Sequence, residues 1–167
     1  MKYSLVYMLL FFLSSTAVAQ KSLDQLLHLF NSESIPYISV EELRMNQLSE
    51  DLVILDSREM EEFEVSHIPS AKYVGYKTFS SQAVTSSIPD KDTPIVVYCS
   101  LGIRSETIGE KLKKAGYTNI HNLYGGIFEW KNKGYPVIDP EGKETENVHA
   151  FSKAWSKWLY KGVKVYD

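Results

Sequence analysis

Short apolar runs alternate along the chain with amphipathic stretches, which is the pattern of strands separated by helices. The two clearest runs are Leu52–Leu55 and Ile95–Tyr98. The second is apolar throughout and rich in β-branched residues, which indicates a strand covered on both faces of a sheet. Weaker runs predict three further strands, at Tyr37–Ile38, Ala71–Val74 and Asn119–Leu123.

Helical patterns fill the intervals between these strands. Apolar positions three or four residues apart predict helices at Val40–Met45, at Glu59–Val65, from the loop after Tyr98 to Ala115, and at Ile127–Asn132. The stretch Ser80–Ser87 is compatible with a weak helix or a loop. Strands that alternate with helices form parallel sheets with right-handed crossovers. The predicted fold is therefore α/β, with a central parallel sheet of about five strands flanked by helices on both faces.

Two amphipathic segments flank this predicted domain, which spans residues 36–140. Before it, Leu23, Leu27 and Phe30 fall at helical spacing and predict an N-terminal helix within residues 20–35. After it, residues 141–167 are predicted to form a linker and a C-terminal helix. The linker is the polar stretch 141–147, and the apolar stripe of the helix is Val148, Phe151, Trp155 and Trp158. We expect this stripe to pack back onto the domain; contact of its tryptophans and lysines with a partner or a membrane surface is the alternative.

The beginning of the chain has the layout of a secretory signal. Lys2 precedes the apolar stretch Leu5–Leu13, and Ala17 and Ala19 complete an Ala-x-Ala pattern. The apolar stretch is shorter than the roughly 20 residues of a membrane span. We therefore expect residues 1–19 to be a signal peptide cleaved between Ala19 and Gln20, and the mature protein to be periplasmic or secreted. An uncleaved anchor is the alternative.

Charge and cysteine content narrow the classes of function. The 167 residues carry a formal net charge of −3, which argues against nucleic acid or an anionic membrane as the main partner. A single cysteine excludes an internal disulfide and a metal site built from several cysteines. In an oxidising compartment a lone thiol is exposed to unwanted pairing, so its presence suggests a function.

That cysteine, Cys99, lies where a parallel sheet binds its ligands, at the carboxyl end of the strand Ile95–Tyr98. A short loop joins it to the N-terminus of a helix, and such a loop can turn several backbone N–H groups toward an anion. Together with the charge of Arg104, these groups should lower the pKa of the thiol. An inert buried cysteine is the alternative. The candidate site comprises Cys99 as the nucleophile and the loop residues Ser100, Leu101, Gly102, Ile103, Arg104 and Ser105.

The motif "CSLGIRS" at 99–105 resembles the C-x-x-G-x-R-S active loop of rhodanese-like sulfurtransferases. Three further motifs agree in order: "LDSR" at 55–58, "EFEVSHIPSA" at 62–71 and "NLYGGIFEWKNKGYPV" at 122–137. The resemblance spans residues 38–137. It implies that the Cys99 thiolate takes a sulfane sulfur from a donor, which is a small molecule or a persulfidated protein, and that an acceptor thiol then removes it. No metal or organic cofactor is required.

Two other functions stay open beside this one. Phosphatases and arsenate reductases of related fold resemble C-x5-R, whose wider loop surrounds a tetrahedral oxyanion, whereas Cys99 and Arg104 are spaced as C-x4-R. A rhodanese-like binding module without turnover is the second alternative. Thiosulfate is a doubtful donor, because the loop offers Ser100 and Leu101 where thiosulfate-using relatives often carry basic residues, and Glu61 and Glu62 add negative charge nearby.

Three further residues are candidates for the pocket. Asp56 and Arg58 follow the strand Leu52–Leu55 at the same edge of the sheet, where they could orient Arg104 or line the pocket; a structural ion pair is the favoured interpretation. His67 could act as a general base, although the His-Ile-Pro turn of the resembling family is mainly structural.

Overall fold

The structure is a computed structural model that describes residues 23–47 and 51–166. The predicted signal segment 1–19 lies outside them. The chain divides into two compact units, residues 1–32 and 33–167. In the first unit, residues 23–30 form helix α1, in which Leu23 and Leu27 are buried and Phe30 is exposed. This helix lies within the predicted region 20–35 and ends before Glu33, whose φ of +56° no right-handed helix includes.

A five-stranded, fully parallel sheet forms the centre of the second unit. The strands are β1 (Tyr37–Ile38), β2 (Val53–Asp56), β3 (Lys72–Tyr73), β4 (Ile95–Tyr98) and β5 (Ile120–Leu123), in the order β1-β5-β4-β2-β3. All four residues of β4 are buried because it is the middle strand, with helices over both faces. This explains its uninterrupted apolar run and confirms the predicted parallel sheet.

Five helices surround the sheet: α2 (Val40–Asn46), α3 (Met60–Val65), α4 (Ser81–Ser87), α5 (Arg104–Lys114) and α6 (Gly126–Asn132). The chain crosses the sheet in one direction from β1 to β3 and returns from β3 to β5. Right-handed crossovers therefore place α2 and α3 on one face and α4 and α5 on the other, as predicted. On the second face, Val84 of α4 and Ile108 and Leu112 of α5 pack against Leu55 and Val97.

The C-terminal part of the chain corrects two predictions. Residues 141–147 are not a linker, since β7 (Glu144–Thr145) pairs antiparallel with β6 (Val137–Ile138). The amphipathic C-terminal helix is also wrong: β8 (Asn147–His149) pairs parallel with β9 (Val163–Val165), and only Ser156–Trp158 form a single 3-10 turn. The spacing of the apolar residues is compatible with a helix. However, Phe151 has a φ of +62°, which interrupts any helix between Val148 and Trp155.

This C-terminal segment, residues 143–166, nevertheless packs on the domain. Val148 and Leu159 are fully buried. The side chain of Asn132, on α6, donates to the Trp158 carbonyl at 2.8 Å and accepts from the Tyr160 amide at 2.6 Å. Within residues 23–47 and 51–166, none of the helices combines the length and the apolar composition needed to cross a membrane.

Candidate active site

Cys99 directly follows the central strand β4, and its side chain is buried at 1% exposure. The loop after it curls around the sulfur. The Gly102 amide donates to Sγ at 3.2 Å, and a φ of +106° at this glycine turns the amide inward. Ser105 Oγ lies 3.5 Å from Sγ and 2.7 Å from Asn122 Oδ1, so either atom can accept its proton. The Gly102 amide and the Ser105 hydroxyl therefore both lie within hydrogen-bond distance of the sulfur.

Asn122 of β5 is hydrogen-bonded to this loop. Sequence analysis did not identify it as a candidate residue. Its Nδ2 donates to the Gly102 carbonyl at 2.7 Å, and its side chain is fully buried. Asparagine is disfavoured in strands, so its position inside β5 was a signal of this role. By binding the Gly102 carbonyl, Asn122 anchors the residue whose amide donates to the sulfur of Cys99.

The electrostatics of the loop favour the thiolate. Burial opposes ionisation of Cys99, but the charge of Arg104 and the hydrogen bonds from Ser105 and Gly102 outweigh it, so the pKa of the thiol lies below its ordinary value. This agrees with the direction predicted from the sequence. A thiolate is the nucleophilic form of cysteine, so the site favours the reactive form of its sulfur.

Arg104 forms a bidentate ion pair with Glu62, which the sequence alone did not reveal. Its Nη1 and Nη2 donate to the two carboxylate oxygens at 2.6 and 2.8 Å, and Nη2 also donates to Ser100 Oγ at 2.9 Å. Glu62 is itself buried on α3. Burial alone would raise its pKa, but Arg104 and the nearby Arg58 lower it to about 2. The carboxylate is therefore charged at neutral pH and compensates the guanidinium.

A cavity of about 90 Å³ opens above the sulfur. Its walls come from the loop and, unexpectedly, from two aromatic residues of the C-terminal segment. The lining residues are Cys99, Ser100, Leu101, Ile103, Arg104, Phe151 and Trp155. The structure thus brings the predicted loop residues together around one small, mostly apolar pocket, and adds Phe151 and Trp155, which sequence analysis had assigned to a helix.

The other three candidates lie outside this cavity. Arg58 and Asp56 form a fully buried ion pair at 2.6 Å, and Arg58 also donates to the Ser66 carbonyl at 2.7 Å. The His67 ring stacks on Phe63 at 4.0 Å between centroids, with Nδ1 3.2 Å from the Phe63 carbonyl. This placement matches the structural interpretations of the Asp56–Arg58 pair and of the His67 turn.

The contribution of Arg104 to thiol ionisation can be measured through the rate at which Cys99 is alkylated at different pH values. We expect Arg104→Gln to move the midpoint of this profile to higher pH, because the loss of the charge removes the main force that offsets burial. Arg104→Lys keeps the charge and should lie between Arg104→Gln and the wild type. An unchanged midpoint in Arg104→Gln would show that the hydrogen bonds from Ser105 and Gly102 control the pKa of Cys99 without the charge of Arg104.

The amino-acid sequence is similar to the sequences of several other proteins. A sulfurtransferase of Allochromatium vinosum is 35% identical over 94 residues, which cover 56% of this chain and 85% of that protein. A thiosulfate sulfurtransferase, GlpE, of Coxiella burnetii is 32% identical over 81 residues, 48% of this chain and 73% of that protein. A tRNA uridine(34) hydroxylase of Erwinia tasmaniensis is 33% identical over 108 residues, 60% of this chain, but the chain spans only 31% of its length.

A solved structure supports the same relationship. A rhodanese-related protein from Thermoplasma volcanium superposes with a TM-score of 0.52 at 28% identity, over 62% of this chain and 97% of that one. The sequence itself matches the rhodanese-like domain over residues 39–133, more than half of the chain. That region contains strands β2–β5, helices α2–α6 and the complete loop around Cys99. The chain therefore belongs to the rhodanese-like domain family.

Proposed function

We propose that this protein is a sulfurtransferase in which Cys99 carries a sulfane sulfur as a persulfide and passes it to an acceptor thiol. The observation that carries the proposal is the sulfur of Cys99, buried beneath a small cavity and facing the Gly102 amide, with its pKa lowered mainly by Arg104. The names of the related sulfurtransferases support the same class of reaction.

In the first step, the Cys99 thiolate attacks the outer sulfur of a donor of the form R–S–SH. A bond forms between Sγ and that sulfur, the sulfur–sulfur bond of the donor breaks, and its electron pair leaves with R–S⁻. In the second step, an acceptor thiolate attacks the outer sulfur of the Cys99 persulfide, and Cys99 leaves as a thiolate. Both steps are displacements at sulfur, so neither consumes an oxidant or a reductant.

The loop residues supply the charge stabilisation that these steps need. The Gly102 amide donates to the sulfur that is negatively charged at the start and at the end of the cycle. Arg104 adds a positive charge beside it. Arg104 is less suited to phosphoryl or arsenate chemistry, because Glu62 already occupies two of its donors and its negative charge would repel a phosphate or arsenate dianion.

The proposal is tested by mass spectrometry of the intact protein after incubation with sulfane donors, namely an organic persulfide and thiosulfate. We expect a gain of one sulfur on Cys99, which is lost again when an acceptor thiol is added. Cys99→Ser should gain none and should transfer sulfur at least about a thousandfold more slowly, because a serine hydroxyl is not ionised at neutral pH. If no donor adds sulfur to the wild type, the protein is a binding module of this family without turnover.

A further inference from the structure

The cavity above Cys99 is closed on one side by the C-terminal segment, which lies outside the matched domain at residues 39–133. The Phe151 ring centroid lies 4.6 Å from the guanidinium carbon of Arg104. Trp155 packs edge to face against Phe151, with 6.2 Å between ring centroids. These two residues are called the aromatic wall below. The pocket of this chain is therefore shaped by residues that the family domain itself does not contain.

Phe151 adopts an unfavourable backbone conformation at this position. Its φ of +62° is rare for a bulky residue and is unfavourable, so interactions with the surrounding structure must offset the strain. Its amide donates to His149 Nδ1 at 3.2 Å, and the preceding strand β8 is paired with β9. The ring is still 44% exposed, so burial in the core does not account for its position. The ring contacts the guanidinium of Arg104 and the ring of Trp155.

That contact completes the enclosure of Arg104. Glu62 and Ser100 occupy its two terminal nitrogens, and the Phe151 ring covers its face. The side chain of Arg104 is only 14% exposed, and the charge of Glu62 compensates its own. A charged group that enters the cavity beside the sulfur would lose hydration and meet a guanidinium whose terminal nitrogens are bonded to Glu62 and Ser100, which is unfavourable in a mostly apolar pocket.

The size of the cavity adds a second restriction. Pockets for drug-sized ligands measure about 300–1,000 Å³, several times the volume available here. Leu101 and Ile103 face the aromatic wall across this space. Only the reacting end of a donor or acceptor fits between them, so the atoms next to its sulfur must be narrow and uncharged.

We propose that Phe151 and Trp155 determine the specificity of the site: by covering Arg104 and narrowing the entrance to Cys99, they select thiols and persulfides whose atoms next to the sulfur are narrow and uncharged, and they exclude molecules with a charged group beside the sulfur, such as thiosulfate. This inference rests on the proposed function for the identity of the reaction. It concerns which molecules reach the sulfur, and that property can be measured without any sulfur transfer.

Iodoacetamide and iodoacetate provide the test, because they have nearly the same shape and differ by one negative charge. Cys99 is the only cysteine in the chain, so alkylation reports this site alone. Both reagents attack the thiolate, and the ratio of their rates is therefore independent of its pKa. We expect the wild-type ratio of the iodoacetamide rate to the iodoacetate rate to exceed that of free 2-mercaptoethanol by about tenfold, equivalent to ~1.4 kcal/mol.

Phe151→Gly removes the ring and suits the positive φ, which protects the fold. In this variant we expect the ratio to fall at least about threefold toward the value of the free thiol, because the face of Arg104 is uncovered. Trp155→Ala, which leaves Phe151 in place, should lower the ratio less. Tyr160→Ala removes an exposed aromatic of the same segment that does not line the cavity, and should leave the ratio unchanged.

A wild-type ratio equal to that of the free thiol, or equal ratios in the wild type, Phe151→Gly and Trp155→Ala, would overturn the inference. Sulfur loading provides a second measurement: Phe151→Gly should load from thiosulfate faster than the wild type does, relative to an organic persulfide. Failure of the proposed function is visible separately, as the absence of sulfur on wild-type Cys99 with every donor.

Discussion

Replacing Gly126 with alanine should abolish alkylation of Cys99 and lower the free energy of unfolding by about 3 kcal/mol or more. Gly126 opens α6 with a φ of +55°, which an alanine resists. A methyl group there would also lie 2.7 Å from the Ser100 carbonyl carbon, and closer still to the Cys99 carbonyl oxygen. Both neighbours are backbone atoms, so neither can move aside without displacing the loop.

The displacement would disrupt the hydrogen bonds that connect α6 to the active-site loop. The Ile127 amide donates to the Cys99 carbonyl at 3.0 Å, and the Phe128 amide donates to the Ser100 carbonyl at 3.2 Å. These bonds set the direction in which the loop leaves β4, and hence the position of the Gly102 amide around the sulfur. Thermal unfolding and the alkylation rate of Cys99 measure the two effects.

Gly142→Ala is the matched control. Gly142 has a φ of +78°, yet a methyl group there would meet no atom within 4 Å. Backbone strain alone should lower the free energy of unfolding of this variant by about 1 kcal/mol, and Cys99 should be alkylated at the wild-type rate. If Gly126→Ala behaves like Gly142→Ala, the contact between α6 and the loop does not control the site.

Glu62→Gln should lower the free energy of unfolding by about 3 kcal/mol near neutral pH and by almost nothing near pH 2. The folded pKa of Glu62, about 2, lies below its ordinary value of 4.5. The unfolded state therefore binds the proton more tightly, and the stabilisation by this carboxylate is complete above about pH 5. The stabilisation decreases as the pH falls below 4.5 and is lost below about pH 2, where the carboxylate is protonated in both states.

Urea unfolding of the two proteins at pH 6 and at pH 2.5 measures this dependence. Glu61→Gln, on the exposed side of the same helix α3, is the control and should change the free energy of unfolding by less than about 0.5 kcal/mol at either pH. A constant difference between the wild type and Glu62→Gln across this range would contradict the assignment of the low pKa to Glu62.

The fold was predictable because its signals are local. The β-branched run of β4 requires cover on both faces, and Ser39 and Ser80 cap α2 and α4 by accepting from amides three residues later. The position of Cys99 followed from the same pattern, since a loop between a buried strand and a helix faces the ligand-binding edge of a parallel sheet. Such signals can be recognised in the sequence without knowing which distant residues come into contact.

The conformation of the C-terminal segment could not be predicted from local signals. The spacing of Val148, Phe151, Trp155 and Trp158 is compatible with an amphipathic helix, and no residue nearby forbids one. Strand pairing between β8 and β9, together with side-chain bonds from Asn132, overrides that preference. A local pattern predicts only that apolar side chains will be buried. It does not show which residues, elsewhere in the chain, pack against them.

By itself, the sequence determined the parallel α/β sheet, the position of the single thiol at its carboxyl edge and the loop that turns donors toward it. Only the tertiary structure decided how the charge of Arg104 is compensated and what closes the cavity. Glu62 lies 42 positions before Arg104, and Phe151 belongs to another segment of the chain. The physical reason is that periodicity and capping act between near neighbours, whereas an ion pair or a ring over a guanidinium exists only after folding brings distant residues together.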